Sequence, residues 1–203
     1  MNIKEKSQLL HNTSEHTGYI KKLVNGKASV EGYIEYIFNL DKIYSSLENS
    51  LNNNKSNSTI APFVTPELYR SKLIKKDLEF LNNNALFTPL SSTEAYISRL
   101  NEISKNKPEL IIAHTYTRFL ADLFGGRTFF SILSSEYKIS PEGLNYYKFN
   151  KIEDFKTYVG EYHGKLNSLA LSEEIQKDFL NEVYNAYIYN LAVSNELDCK
   201  LSK

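Results

Sequence analysis

Between Ile111 and Arg127 the chain reads IIAHTYTRFLADLFGGR. The stretch is long, mostly apolar and helical in spacing, yet two adjacent glycines sit inside it. Each glycine costs ~1 kcal/mol relative to alanine in a helix interior. One reading is that something flat lies against bare backbone there, or that the helix kinks. The other is that Gly125–Gly126 ends one helix and Arg127 begins the next. The same stretch carries His114, Arg118 and Asp122 at steps of four, which stacks three polar groups on one helix face. If that face is buried, the three need hydrogen-bond partners, water or a ligand. Otherwise they form an exposed polar stripe.

Working outward, the apolar spacing is helical almost throughout. Toward the N-terminus, Tyr33, Ile34, Ile37, Phe38, Ile43, Tyr44, Leu47 and Leu51 form a helix with Ser29 as N-cap, closed by the polar run 51–58 (LNNNKSNS). Thr65–Pro66–Glu67 has the order of a helix start and predicts a helix through about Leu81, ended by Asn82–Asn84. Ser91 with Glu94 forms a capping-box pattern that opens another. Pro108–Glu109 starts the central helix. Asp154–Leu169 and Ser172 to about Leu197 supply the last two, the final one striped by Ile175, Phe179, Val183, Ala186 and Asn190. No alternation of period two persists and no repeat is present. The fold class is all-α, in one domain spanning 1–203 with a short flexible tail at about 198–203.

Composition narrows the function. The 203 residues are 41% hydrophobic and 24% charged, ordinary for one globular domain with a core of its own. Lys+Arg and Asp+Glu number 24 each, so no net field recruits nucleic acid or an anionic membrane. The lone Cys199 excludes an intrachain disulfide framework and any multi-cysteine metal site. The sequence carries no signal-peptide core, membrane anchor or apolar span, which makes the cytoplasm the expected address. Fifteen tyrosines and 11 phenylalanines against no tryptophan mean that rings fill much of the core. So many phenols imply either a polar, wet cavity or a compositional bias toward tyrosine.

One further pair stands out near the N-terminus, in Leu9–Glu15 (LLHNTSE). His11 and Glu15 are four apart, so on a helix the carboxylate can accept from the imidazole N–H. A metal-bound histidine is oriented in that way, although surface pairs of this spacing are common. There is no HExxH zinc motif.

Pro108–Gly126, PELIIAHTYTRFLADLFGG, closely resembles the heme oxygenase signature, approximately PELLVAHAYTRYLGDLSGG. Four other segments support it in order. Asp41–Glu48 (DKIYSSLE) is similar to the family's YxxYxxLE, and Ala61–Leu78 (APFVTPELYRSKLIKKDL) to its PEELxR stretch. Glu142–Phe149 (EGLNYYKF) resembles its EGLxFFxF turn, and Leu166–Leu169 (LNSL) its counterpart after the propionate-binding helix. The resemblance runs from about residue 4 to residue 197.

That resemblance implies a multihelical fold with heme held between a proximal helix and a kinked distal helix. Counting back from Gly26, His11 falls on the position of the proximal iron ligand and Glu15 on that of its hydrogen-bonding partner. The backbone of Ala121, Gly125 and Gly126 would cover the distal heme face. Asp122 would organise the water beside bound oxygen, with Tyr44, Arg118 and Asn190 completing the network and with no need for an unusual pKa. Lys4 and Tyr116 match positions that contact heme propionates. His114 matches a histidine that is not the ligand. The implied reaction is cleavage of heme, at once substrate and cofactor, to biliverdin, carbon monoxide and ferrous iron. It consumes O2 and electrons from an external ferredoxin, flavodoxin or NAD(P)H reductase, since no flavin or dinucleotide fingerprint is present. The protein is expected to be a monomer.

The chain departs from the pattern at four positions. Ala121 stands where the family has glycine and Phe124 where it has serine; both shrink or dry the pocket. Val159 and His163 replace a lysine and an arginine near the propionates, where Lys156 is the nearest alternative cation. Those changes leave a second reading, a heme-binding or heme-delivery protein on the same fold, and a third, a helical interaction module.

Overall fold

The computed structural model describes residues 3–81, 86–169 and 171–202, without the side chains of residues 3–6, 11 and 15. Eight α-helices order the described residues: α1 Ile3–Glu15, α2 Gly18–Val24, α3 Val30–Asn53, α4 Ser71–Leu81, α5 Ser91–Asn106, α6 Ile111–Ser135, α7 Phe155–Asn167 and α8 Glu173–Leu201. No strand occurs among the described residues. α3 packs against α4, α5, α6 and α8, and α8 in turn carries α1, α2 and α6. The core follows the expected spacing: on α3, Tyr33, Ile37, Leu40, Tyr44, Leu47 and Leu51 are all essentially inaccessible. Ser29 caps this helix, its hydroxyl accepting from Gly32 N at 3.0 Å. Asp154 and Ser172 cap α7 and α8 in the same way.

Three helix boundaries differ from the sequence expectation, each for a tertiary reason. Pro66–Leu68 forms only a 3₁₀ turn, Tyr69 is extended, and α4 begins at Ser71. The cap comes from α3, where Glu48 Oε1 accepts from Arg70 N at 2.6 Å and from Ser71 N at 2.9 Å. The capping box at Ser91 does not form either. Ser91 N and Ser92 N donate instead to the two carboxylate oxygens of Glu196 on α8, at 3.1 and 2.7 Å. Carboxylates are favoured at positive helix ends from wherever the fold brings them. Finally, α8 runs through Leu201, so residues 198–201 form its last turn rather than a tail. Asp198 pairs with Lys22 at 2.6 Å, and Lys200 pairs with Glu35. The expected terminator Asn82–Asn84 lies outside the described residues.

The central helix is continuous. α6 passes through Gly125–Gly126 without ending, which disposes of the helix-break reading. It is preceded by a 3₁₀ turn, Pro108–Leu110. Nor is its polar stripe exposed: His114 and Arg118 are buried.

His114 ties three helices together. Its Nε2 lies 2.9 Å from Glu182 Oε2 on α8 and its Nδ1 3.1 Å from the Tyr96 hydroxyl on α5. An ionised carboxylate only accepts, so Nε2 carries the proton and Nδ1 accepts from Tyr96. Arg99 completes the cluster by pairing with Glu182. Burial holds the His114 pKa below its ordinary 6.5 despite the carboxylate. For Glu182, burial pushes upward, but His114, Arg99 and Asn185 outweigh it and hold the carboxyl down at about 2.

Both groups therefore make the fold acid-labile. The unfolded chain protonates histidine near 6.5, which the buried ring resists, so stability falls as pH drops below 6.5. The Glu182 contribution is complete above its ordinary 4.5 and disappears as pH falls toward about 2. We predict that His114 and Glu182 pull the thermal midpoint down below pH 6.5, against the buried Asp122 carboxyl, whose raised pKa acts in the opposite sense. Glu182→Gln should lose roughly 2 kcal/mol at pH 7 and show a shallower decline below pH 4.5. Parallel pH profiles for the two proteins would refute this.

Candidate active site

A cavity of about 680 Å³ opens between α1 and the middle of α6. That volume lies within the range typical of small-molecule and cofactor sites, ~300–1,000 Å³. α1 contributes Ser7, Gln8 and Ser14 to its wall; α6 contributes Tyr116, Arg118, Ala121, Asp122, Phe124, Gly125 and Gly126. α7 adds Val159 and His163, α8 adds Tyr187, Asn190 and Ser194, and Tyr36 and Tyr147 close it from α3 and the 145–149 segment. Position 11 falls on α1 between Ser7 and Ser14, both of which line the cavity. The side chains of Lys4, His11 and Glu15 lie outside the described residues.

One wall is electrostatic. The Arg118 guanidinium is buried and donates to Asn190 Oδ1 at 2.9 Å and to the Tyr146 hydroxyl at 3.1 Å. Its Nη2 also lies 3.6 Å from Asp122 Oδ1, one helical turn on. The Asp122 side chain is 14% exposed, and its Oδ2 is buried with no hydrogen-bond partner among the described residues. Burial pushes the Asp122 carboxyl well above the ordinary carboxylate range, partly offset by the Tyr146 phenol. The water-organising role expected from the sequence did not require such a shift. A partnerless carboxylate edge in a cavity wall is a place for a proton or an ordered water.

The second wall is bare backbone. A Cβ built on Gly125 would meet only the Phe129 ring, at an ordinary 3.7 Å. Nothing in the chain's own packing requires glycine there, so the space it leaves belongs to the cavity. Gly126 serves a different end: its Cβ would come within 3.3 Å of Phe149 Cε2 and 3.4 Å of the Tyr147 carbonyl oxygen. Here glycine lets the 145–149 segment press against α6. That segment is held from α4, whose Asp77 accepts from Asn145 N and Tyr146 N at 2.7 Å each. Arg70 donates to the Lys148 carbonyl at 2.8 Å and lies 4.0 Å from the centre of the Phe149 ring.

The cavity thus brings together Tyr116, Arg118, Ala121, Asp122, Gly125, Gly126, His163 and Asn190. The Tyr116 and His163 rings meet edge to face with centroids 5.9 Å apart. Tyr44 does not border the cavity. It is fully buried one layer back, with Arg118 5.2 Å from its ring centre and its hydroxyl unpartnered among the described residues. Tyr36 and Tyr147, which line the cavity, and Tyr146 behind it escaped the sequence reading; the tyrosine count was their one signal, and it was equally readable as compositional bias.

A helical protein whose N-terminal helix and glycine-bearing central helix enclose a roomy, partly apolar cavity with one buried carboxylate is built to hold a flat ligand beside an acid. The heme oxygenase family model matches residues 1–196. Heme oxygenase of Rhodella violacea is 32% identical over 95% of this chain and 84% of its own length. That of Porphyra purpurea is 30% identical over 99% and 87%. The crystal structure of heme oxygenase-1 from Synechocystis in complex with heme superposes with a TM-score of 0.93 at 26% identity, covering 98% of this chain and 92% of that one. The chain belongs to the heme oxygenase family, oxidoreductases that degrade heme.

The two glycines should separate on mutation. Gly125→Ala should stabilise the ligand-free protein by about 0.5–1 kcal/mol, the helix-propensity gain, while weakening hemin binding. Gly126→Ala should lose that gain to the crowded Phe149 contact and melt lower than Gly125→Ala. Hemin titration followed at the Soret band, with thermal melts, checks both; wild-type hemin affinity in Gly125→Ala would refute the assignment.

Proposed function

We propose that the cavity binds heme flat against α6 as substrate and prosthetic group, and that the chain cleaves it to biliverdin, carbon monoxide and ferrous iron. The observation that carries this reading is the Asp122 carboxylate, with Oδ2 unpartnered in the cavity wall beside the bare backbone of Gly125. A delivery protein needs a binding surface but no buried acid there.

The residues fit the ligand. His11, in α1 between the cavity-lining Ser7 and Ser14, is the proposed iron ligand, with Glu15 four residues on as the proposed partner of its ring. Heme, when bound, supplies the iron that takes up and reduces dioxygen and the ring that is oxidised. Asp122 holds a proton or an ordered water at Oδ2 and directs it into the cavity, a role that a raised pKa favours. Arg118 fixes the Asp122 side from within the helix, itself held by Asn190 and by the face of the Tyr44 ring. Ala121, Gly125 and Gly126 form the floor, and Phe124, 64% exposed, sets an apolar ring at its edge. Tyr116 and His163, with Lys4 from α1, are the proposed propionate contacts. Val159 adds no charge there, so orientation of the macrocycle rests on fewer cations than in the family pattern.

Electrons come from a ferredoxin, flavodoxin or NAD(P)H reductase outside the chain. Among the described residues no helix is long and apolar enough to cross a membrane. A cytoplasmic address and a monomeric state complete the proposal.

Purified protein given hemin, a reductant and air should convert the Soret absorbance of bound heme to a verdin spectrum, with bilin recovered by chromatography. An unchanged Soret band would establish the delivery reading instead. Asp122→Asn should keep hemin binding and lose verdin formation by roughly 10²-fold or more. His11→Ala should fold normally and lose the iron–histidine stretch in resonance Raman spectra. Normal turnover in the first variant, or an unaltered stretch in the second, would overturn the corresponding role.

A further inference from the structure

The heme-cleavage reading accounts for the carboxylate and the bare backbone of α6 but not for the ring between them. From Ile111 to Leu120 every residue of α6 is buried. The helix then opens: Ala121, Phe124 and Thr128 are exposed, Gly125 is half-buried, and all four line the cavity. Their spacing places them on one helix face. Phe124 is the one large apolar side chain on that face, and it is 64% exposed.

A single exposed ring on an outer surface needs no explanation. This ring lines a cavity whose other large apolar side chains the chain already covers. Leu120 and Val159 are buried, Ile20 is half-buried, and Phe129 stacks on Tyr147 with centroids 5.9 Å apart. Across the cavity, the α1 residues whose side chains are described are Ser7, Gln8 and Ser14, all polar. Among the described lining residues, Phe124 therefore holds the apolar area that a ligand has most to gain by covering.

We infer that Phe124 is a specificity-determining residue of the site, its uncovered ring holding the flat, closed macrocycle in preference to the open-chain product. The inference rests on the heme-cleavage reading above. Burying apolar surface is favourable in proportion to the area covered, and aromatic rings gain further from contact with one another. A closed porphyrin is rigid and planar, so lying against this face of α6 it covers the Phe124 ring with one continuous surface. Cutting a meso bridge removes that rigidity. The linear tetrapyrrole twists out of plane and gives up part of the cover. A small polar residue at position 124 has no ring to be covered and supplies no such preference.

The experiment uses the full chain with ferric hemin and, separately, with biliverdin. The hemin Kd is measured by partition against apomyoglobin at the Soret band, and the biliverdin Kd by titration of its visible absorbance. Phe124→Ser should raise the hemin Kd about tenfold or more and the biliverdin Kd by less than about threefold. Phe124→Leu keeps apolar bulk without a flat face and should fall between wild type and Phe124→Ser. Phe80→Ser removes a ring that is 55% exposed on α4 and does not line the cavity, and it should change neither constant. A merely structural role for Phe124 weakens both ligands alike. Equal weakening of the two, or hemin affinity unchanged or raised in Phe124→Ser, would overturn the inference; should that variant fail to fold, the same comparison between wild type and Phe124→Leu decides it. Wild-type protein that binds no hemin would instead sink the underlying heme reading, so the two failures are distinct.

Discussion

The Arg118 guanidinium, buried 8% exposed in the middle of the longest apolar stretch, is the charge around which the rest is arranged. A cation in such a place is costly without partners, and removing any one of them leaves a buried donor or the charge itself less well satisfied. Its partners come from three directions: Asn190 from α8, Tyr146 from the 145–149 segment and Asp122 from its own helix. The face of Tyr44 on α3 adds a fourth. Burial works against the charge, and the surrounding phenols of Tyr146, Tyr36 and Tyr96 support it. Satisfying one guanidinium thus obliges α3, α6, α8 and the turn after α6 to meet at one edge of the cavity.

Carboxylates do the equivalent work at the helix ends. Glu48 starts α4, Glu196 starts α5, and Asp77 accepts the amides of the 145–146 turn. All three act over more than 20 residues of sequence, and this explains where sequence reasoning succeeded and failed. Which segments are helical follows from apolar spacing, a local property; α3, with its Ser29 cap, is legible down to its first residue. Where α4 and α5 begin is not legible, because Thr65–Pro66 and Ser91–Glu94 are sound local caps that remote acids outcompete.

The site divides in the same way. Arg118, Asp122 and the two glycines stand at helical spacing in one quotable segment, and the cavity gathers them as that spacing required. Tyr36, Tyr146 and Tyr147 were hidden because periodicity registers a tyrosine as an apolar position and is silent about its hydroxyl. On α3, Tyr33 stands in the apolar series and Tyr36 outside it, yet Tyr36 borders the cavity and Tyr33 does not. Only the three-dimensional neighbourhood separates a ring that fills volume from one whose oxygen shapes a pocket.

The glycine pair shows how packing and ligand demands share a helix. Gly126 is explained by the chain itself, since the 145–149 segment leaves little room for a side chain. Gly125 is not, and α6 gives up ~1 kcal/mol of helix propensity there without internal return. Ala121 lies one turn before Gly125 on the same face, so the cavity floor steps from a methyl group to bare backbone within 6 Å or so, one helical pitch. A flat ligand cannot touch both levels equally. Contact with the lower level brings it closest to the helix beside Gly125, three residues and nearly one turn beyond Asp122. The same turn of α6 that yields space to the ligand therefore presents the acid to it, and this coupling is why the glycine cost is borne at position 125 rather than elsewhere along the helix.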